Sequence, residues 1–262
     1  MEDALIVTSA VRSLDPYLSI KDYDTRLLQV YCSVICWITK TRLRKIIVCD
    51  NSCSASAFSE LQSLAESYGK SLEILCFKGD SQRIVTCGKG YGEGEIIKYA
   101  LDNSQLLKGE ETFFKITGRV FVENFDEIMS EETRRAQVFN LHTKVYKRVL
   151  WRVLAKLPAA SWLCDHGFGY IQTIFYKCGI RYYREHLLRC HTEVDGQREH
   201  FLENRMFLPL MRNGFSSFTI APRFVGVCAG TGQLYGDSDY PEQVKKLAES
   251  LIARNSLRKE SL

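Results

Sequence analysis

The stretch "ALIVTSAV", residues 4–11, opens with four apolar residues and turns to small hydroxyl residues at Thr8 and Ser9. A short β-rich run of this kind predicts a buried strand that feeds a loop. The chain beyond it keeps the theme. "TRLLQVYCSVICWITKT" (25–41) carries apolar residues at helical spacing, and "RKIIVCDNSCS" (44–54) is a second buried strand ending in Asp50-Asn51-Ser52. Together they form a βαβ opening. "SASAFSELQSLAESYG" (54–69) reads as a helix closed by Gly69, "SLEILCFKG" (71–79) as a third strand, and "TFFKITGRV" (112–120) as a fourth, interrupted at Gly118. Four alternations of strand and helix by residue 120 predict an α/β fold. Its central sheet is mostly parallel, with helices on both faces and ligands outside the carboxyl ends of the strands.

The second half is less regular. A strand is expected in "AQVFNLH" (136–142), a β-rich run passing into a helix in "GYIQTIFYKCGIRYYREHLLRC" (169–190), and a helix closed by Asn213-Gly214 in "REHFLENRMFLPLMRNG" (198–214). Residues 215–236 read as extended with a glycine-rich turn, followed by an amphipathic terminal helix. No internal repeat or low-complexity linker divides the chain. Its 262 residues suit one compact domain.

Composition excludes several classes. Apolar content of 45% and charged content of 25% belong to a globular protein, not a disordered one. No run approaches the roughly 20 apolar residues needed to span a bilayer. The start, "MEDALIVTSAVRS", has acids where a signal peptide has basic residues, so a cytoplasmic location is expected, with the ten cysteines reduced. Their spacing gives no pair of CxxC elements to suggest zinc. The five histidines lack the spacing of a metal helix. The net charge of +4 is mild, but "KVYKRVLWRVLAK" (144–156) is basic throughout. Val145, Val149, Leu150, Val153 and Leu157 fall on one side of it at helical spacing, which fits either an interfacial helix at a membrane surface or a helix packed on the domain.

Two stretches carry the chemistry. "GKGYGEGEIIKYAL" (88–101) has four glycines in seven positions and reads as a glycine turn leading into a helix. Backbone N–H groups at such an N-terminus, with Lys89 beside them, suit a phosphate. The alternative is a structural turn in which Glu93 and Glu95 favour the first helical turn. GxxxxGK[ST] is absent, and a dinucleotide turn would follow the first strand, so a P-loop ATPase and an NAD enzyme are disfavoured. "FFKITGRVFVENF" (113–125) places Lys115, Thr117 and Arg119 on one face by the period of two, a suitable group for a pyrophosphate.

The combination resembles bacterial glycosyltransferases of the GT-A type that build surface polysaccharide: a first strand ending in hydroxyls, a second ending in Asn-Ser, a "GKGYGEG" helix start, and "KITGR" followed by Asn124. "FLEN" on a helix and "APRFVGVCAGTGQLY" (221–235) continue the likeness, which spans about residues 4 to 236. The resemblance implies a GT-A-like domain over 1–262. Residues to about 125 would bind a nucleotide-sugar, about 126–240 would hold the acceptor and catalytic groups, and a helix and tail would follow. It implies Thr8, Ser9, Asp50 and Asn51 in the nucleotide pocket, Lys89 and Gly90 beside it, and Lys115, Thr117 and Arg119 toward the diphosphate. The acceptor would be a glycan or lipid-linked glycan of lipopolysaccharide or capsule type, met at the cytoplasmic face of the inner membrane. One departure stands out. Enzymes of this type commonly hold a divalent metal with Asp-x-Asp at the end of the fourth strand, where this chain reads Ile-Thr-Gly-Arg. Either cationic side chains replace the metal, or the donor is a CMP-activated acid sugar with a less demanding leaving group.

An inverting sugar transfer needs a group to take the acceptor hydroxyl proton. Asp165, in the turn "LCDHGFGYIQ", and Glu203, in "HFLENRMF", are the candidate bases, with His166 as a further contact. The alternatives are a sugar nucleotidyltransferase, which wants an acid pair not found here, and a non-catalytic scaffold or nucleic-acid-binding protein using the basic stretch. No nucleic-acid motif supports the last, and no nucleic acid is expected as a partner.

Overall fold

The computed structural model describes residues 3–13, 15–16, 18–52, 55–140, 153–157, 160–165, 169–228, 231–236 and 239–260. The basic segment to residue 152 and His166 lie outside the described residues, as does the side chain of Asp165.

Six strands form the main sheet in the order β3-β2-β1-β4-β7-β6. β1 (Ala4–Ser9), β2 (Lys45–Asp50), β3 (Ser71–Cys76) and β4 (Thr112–Thr117) run parallel. β7 (Gln172–Gly179) and β6 (Val138–Asn140) extend the sheet with β7 antiparallel to β4 and β6 antiparallel to β7. All six residues of β1 are buried, as expected of a central strand covered on both sides. The period of two then sorts its side chains. Leu5 and Val7 join Ile46, Val48, Phe114 and Ile116 in one core, while Ala4 and Ile6 join Ile47, Cys49 and Phe113 in the other.

The first core lies under α1 (Tyr23–Lys40), α2 (Ser59–Ser67) and the terminal helix. α1 starts where Asp22 accepts from the Thr25 backbone N–H at 2.8 Å, and its buried stripe of Leu27, Val30, Tyr31, Val34 and Ile38 follows the helical period. The second core lies under α4 (Lys89–Asn103) and a helix over Leu202–Asn213. Between β3 and α4 the sequence reading expected only a loop. The structure has a short helix there, α3 (Ser81–Cys87), because Asp80 caps it by accepting from the Arg83 N–H at 3.0 Å.

The remaining elements are α5 (Phe125–Glu131), α6 (Ala160–Asp165), irregular helical turns through 180–193, α7 (Leu202–Asn213), and α8 (Glu242–Glu260). β5 (Val120–Val122) pairs antiparallel with β8 (Phe224–Gly226), a two-stranded ribbon continuing from the end of β4. The break between β4 and β5 falls at Gly118, as the sequence predicts. Its N–H donates to Thr8 O at 2.8 Å, and a Cβ there would stand 2.6 Å from the same oxygen. Glycine thus lets the ends of β1 and β4 meet. Because β1 sends the chain to β2 on one side while β4 lies on its other side, the crevice beyond these two ends is the switch point where doubly wound sheets bind ligands.

Candidate functional site

A cavity of about 430 Å³ opens at that switch point. Its floor is made by Thr8, Ser9, Thr117, Gly118 and Arg119 from the strand ends. Asn51, Ser52, Lys78 and Gly79 come from the ends of β2 and β3, and Lys89, Gly92 and Glu93 from α4. Thr173 and Ile174 of β7, Glu203 of α7, and Val227, Cys228 and Tyr235 close the far side. The elements that sequence reading singled out separately therefore converge on one space. Of the expected residues, Thr8, Ser9, Asn51, Lys89, Thr117, Arg119 and Glu203 line it.

Asp50, Gly90 and Lys115 do not reach the cavity surface. The buried carboxylate of Asp50 is consumed by the loops: it accepts from Ser9 Oγ at 2.7 Å, from the Val11 N–H at 3.0 Å, and from the Ser52 N–H at 2.8 Å. It holds the pocket-lining loops of β1 and β2 together. Gly90 faces α7, where a Cβ would meet Leu202 Cβ at 3.1 Å.

The glycine stretch itself differs from its reading as a turn. Only Gly88 has a positive φ, of 89°, and the helix begins at Lys89, so Gly90, Gly92 and Gly94 occupy its first two turns. They are there for close packing. A Cβ at Gly94 would overlap the His191 side chain, and one at Gly92 would sit 3.1 Å from Asn51 Nδ2. The small residues let α4 lie close to its neighbours and bring Glu93 to the cavity. The Lys89 backbone N–H is taken by Asp15 Oδ2 at 2.9 Å, so this helix start already has an anion of the chain's own.

Lys115 lies fully buried beneath the floor. Its side chain pairs with Glu93 and donates to Thr117 Oγ1 at 3.1 Å and Thr173 O at 2.6 Å. Thr173 Oγ1 donates in turn to Glu203 Oε1 at 3.1 Å. One chain of contacts thus joins α4, β4, β7 and α7 under the cavity. Burial presses the Lys115 ammonium below the usual lysine range, while Glu93 acts in the opposite direction. Burial, and then repulsion from Glu93, lifts the Glu203 carboxyl above the ordinary glutamate value. A buried carboxylate at a cavity wall, with its proton held more tightly than in an ordinary glutamate, is a candidate proton acceptor.

The opposite side is cationic. Arg119 is only 6% exposed, makes no side-chain hydrogen bond among the described residues, and has a buried Nη1 without a partner. Arg26, which sequence reading missed, stands by it. It is held by its Nε to Ala10 O at 2.9 Å and its Nη1 to Ile20 O at 3.0 Å. Burial and the Arg119 guanidinium draw its pKa down to about 10. Its place in the stripe of α1 looked like an ordinary helix position, and only tertiary packing turns it toward the cavity. Arg12, Lys78 and Lys89 add positive charge elsewhere on the lining, Lys89 within reach of Glu203.

Among the described residues no three His, Cys, Asp or Glu side chains stand together as metal ligands. At the end of β4, where GT-A enzymes hold a metal, the side chains are Thr117 and the Arg119 cation, a donor set that does not fit a divalent ion.

The sheet order, the helices on both faces and the switch-point cavity define a GT-A fold. The galactosyltransferase LgtC, in complex with donor and acceptor sugar analogues, is similar over 96% of this chain and 95% of its own, with a TM-score of 0.53 and 7% identity. The bifunctional glycosyltransferase WbbM covers 79% of this chain with a TM-score of 0.45 and 12% identity, and GlyE of Streptococcus pneumoniae TIGR4 covers 83% with 0.47 and 8%. Only 37% of WbbM and 46% of GlyE are spanned by the match. No family model and no curated protein matches the sequence.

Proposed function

We propose that this protein is a glycosyltransferase that moves a sugar from a nucleotide-sugar donor to a growing surface glycan. The observation that carries the proposal is the opposition, within one switch-point cavity, of a buried guanidinium at Arg119, whose Nη1 has no partner among the described residues, and a carboxylate at Glu203. One attracts a phosphate leaving group; the other accepts a proton. Residues to about 125 hold the donor in this reading, with Thr8, Ser9 and Asn51 toward the nucleoside and Lys89, Thr117 and Arg119 toward its phosphates. Lys115 acts from below by holding Glu93 and Thr173. Residues of about 126–240 bring the acceptor.

In an inverting transfer the acceptor hydroxyl oxygen forms the new bond to the anomeric carbon. The bond from that carbon to the phosphate oxygen breaks, its electron pair stays on the phosphate, and the hydroxyl proton passes to Glu203. Asp165 remains the second candidate base by its place at the end of α6. Exposed Val153 and Leu157, 62% and 48% accessible, fit a lipid-linked acceptor met at the inner membrane surface. No helix among the described residues is long and apolar enough to cross a membrane.

The test is a thermal-shift panel of UDP, GDP, CMP and their common sugars. Binding of one nucleotide class raises the melting temperature through linkage, by an amount equivalent to about 2.7 kcal/mol at a hundredfold excess over Kd. A panel without any shift contradicts the proposal.

A further inference from the structure

We infer that Arg26 and Arg119 form a seat for the donor's phosphate leaving group that works without a divalent cation. The inference rests on the nucleotide-sugar reading above and adds how its charge is met.

Two buried guanidiniums at one cavity wall are costly for a folded chain. Each loses hydration, and the Arg119 charge acts against that of Arg26. Arg26 offsets part of that cost through the carbonyls of Ala10 and Ile20, which also fix where its charge lies. Arg119 has no such return. It is 94% buried, its Nη1 has no partner, and no carboxylate pairs with it among the described residues. Unsatisfied buried donors are rare in folded proteins, and a buried cation that lines a cavity without a carboxylate beside it calls for an anion from outside.

The surroundings fix the orientation of that anion. Glu93 and Glu203 lie on the side of β7 and α7, with Glu93 already paired to Lys115, while Asp50 and Asp15 partly offset Arg26, so the uncompensated positive charge is that of Arg119 at the start of β5. A phosphate placed there meets fixed donors and requires no bridging metal. The same two guanidiniums would repel a dication brought to the end of β4, where no carboxylate waits for it.

Replacing Arg119 by Met separates a ligand-binding role from a structural one. A structural arginine would leave a less stable protein when removed. A ligand-binding arginine held at a cost should leave the unliganded protein more stable, with a melting temperature higher by about 2–4 °C. Titration calorimetry of parent and R119M with UDP, GDP and CMP, in EDTA and then with Mn²⁺, completes the test. The expected result is nucleotide binding by the parent of equal strength in both conditions, weakened roughly 10- to 100-fold in R119M. Binding by the parent only with Mn²⁺ would overturn the inference while sparing the nucleotide-sugar reading. Binding without metal that R119M retains, or a fall in its unliganded melting temperature, would overturn the inference as well. Absence of binding under every condition would overturn both.

Discussion

Glu203 shows how one side chain's surroundings decide its chemistry. Its carboxyl is lifted by burial and by Glu93, and among the described residues only the Thr173 hydroxyl donates to it from another side chain. If Glu203 is the base, the acid limb of kcat/KM falls at a pH above the ordinary glutamate range, and E203Q lowers turnover on the order of 10²- to 10⁴-fold while nucleotide affinity holds. Its effect on stability has a definite sign. A folded-state pKa raised above the unfolded value means that the folded chain binds the proton more tightly, so stability is full at low pH and declines as pH rises through the raised value. Removing the charge should therefore stabilise the protein at neutral pH. Melting curves of parent and E203Q between pH 4 and 8 are expected to diverge as pH rises; parallel curves would remove Glu203 from this role.

At the scale of elements, α4 is the piece on which the cavity depends. Its glycines were visible in the sequence, but their spacing alone does not distinguish an anion-binding turn from a closely packed helix. What decides between these is the neighbour each glycine meets, and those neighbours, Leu202 and His191, come from residues a hundred positions away. Gly94→Ala should overlap His191 and cost about 1–3 kcal/mol, since the collision is with a buried side chain's stem. Gly69→Ala, with open space around its Cβ but a φ of +64°, tests backbone strain without a collision. Denaturant titrations of the two variants should show the loss in G94A alone accompanied by weaker nucleotide binding, because only α4 carries Lys89 and Glu93 to the cavity. The parallel strands were legible for a different reason. β1, β2 and β4 are buried on both faces; β1 and β2 read as short apolar runs, β4 as Phe113, Phe114 and Ile116 around a buried Lys115, and Gly118 broke the last where Thr8 O leaves no room for a Cβ. The short helix α3 escaped notice because seven residues with a single capping aspartate make no periodic pattern.

For the molecule as a whole, the mild net charge of +4 conceals a polarised site. Arg12, Arg26, Lys78, Lys89 and Arg119 border a cavity whose lining acids are Glu93 and Glu203. That asymmetry raises the local concentration of anions and fades with salt. Affinity for a nucleotide should thus fall between 50 mM and 500 mM NaCl, with less loss than an exposed site would suffer because Arg26 and Arg119 are buried. The resemblance to GT-A enzymes brought Thr8, Asn51, Lys89, Thr117 and Arg119 into one proposed site, and a doubly wound sheet, which delivers its strand ends to one edge, is consistent with it. It did not reveal Arg26, whose helix position carries no local signal, or that Lys115 works from beneath the floor.

The most direct test of sugar transfer is mass spectrometry of a panel of nucleotide-sugars incubated with the protein, with water as the default acceptor. The expected result is release of free sugar and nucleoside phosphate from one donor class by the parent, with release strongly reduced in R119M and E203Q. Intact donors throughout, or pyrophosphate released from a nucleoside triphosphate and a sugar phosphate instead, would contradict it.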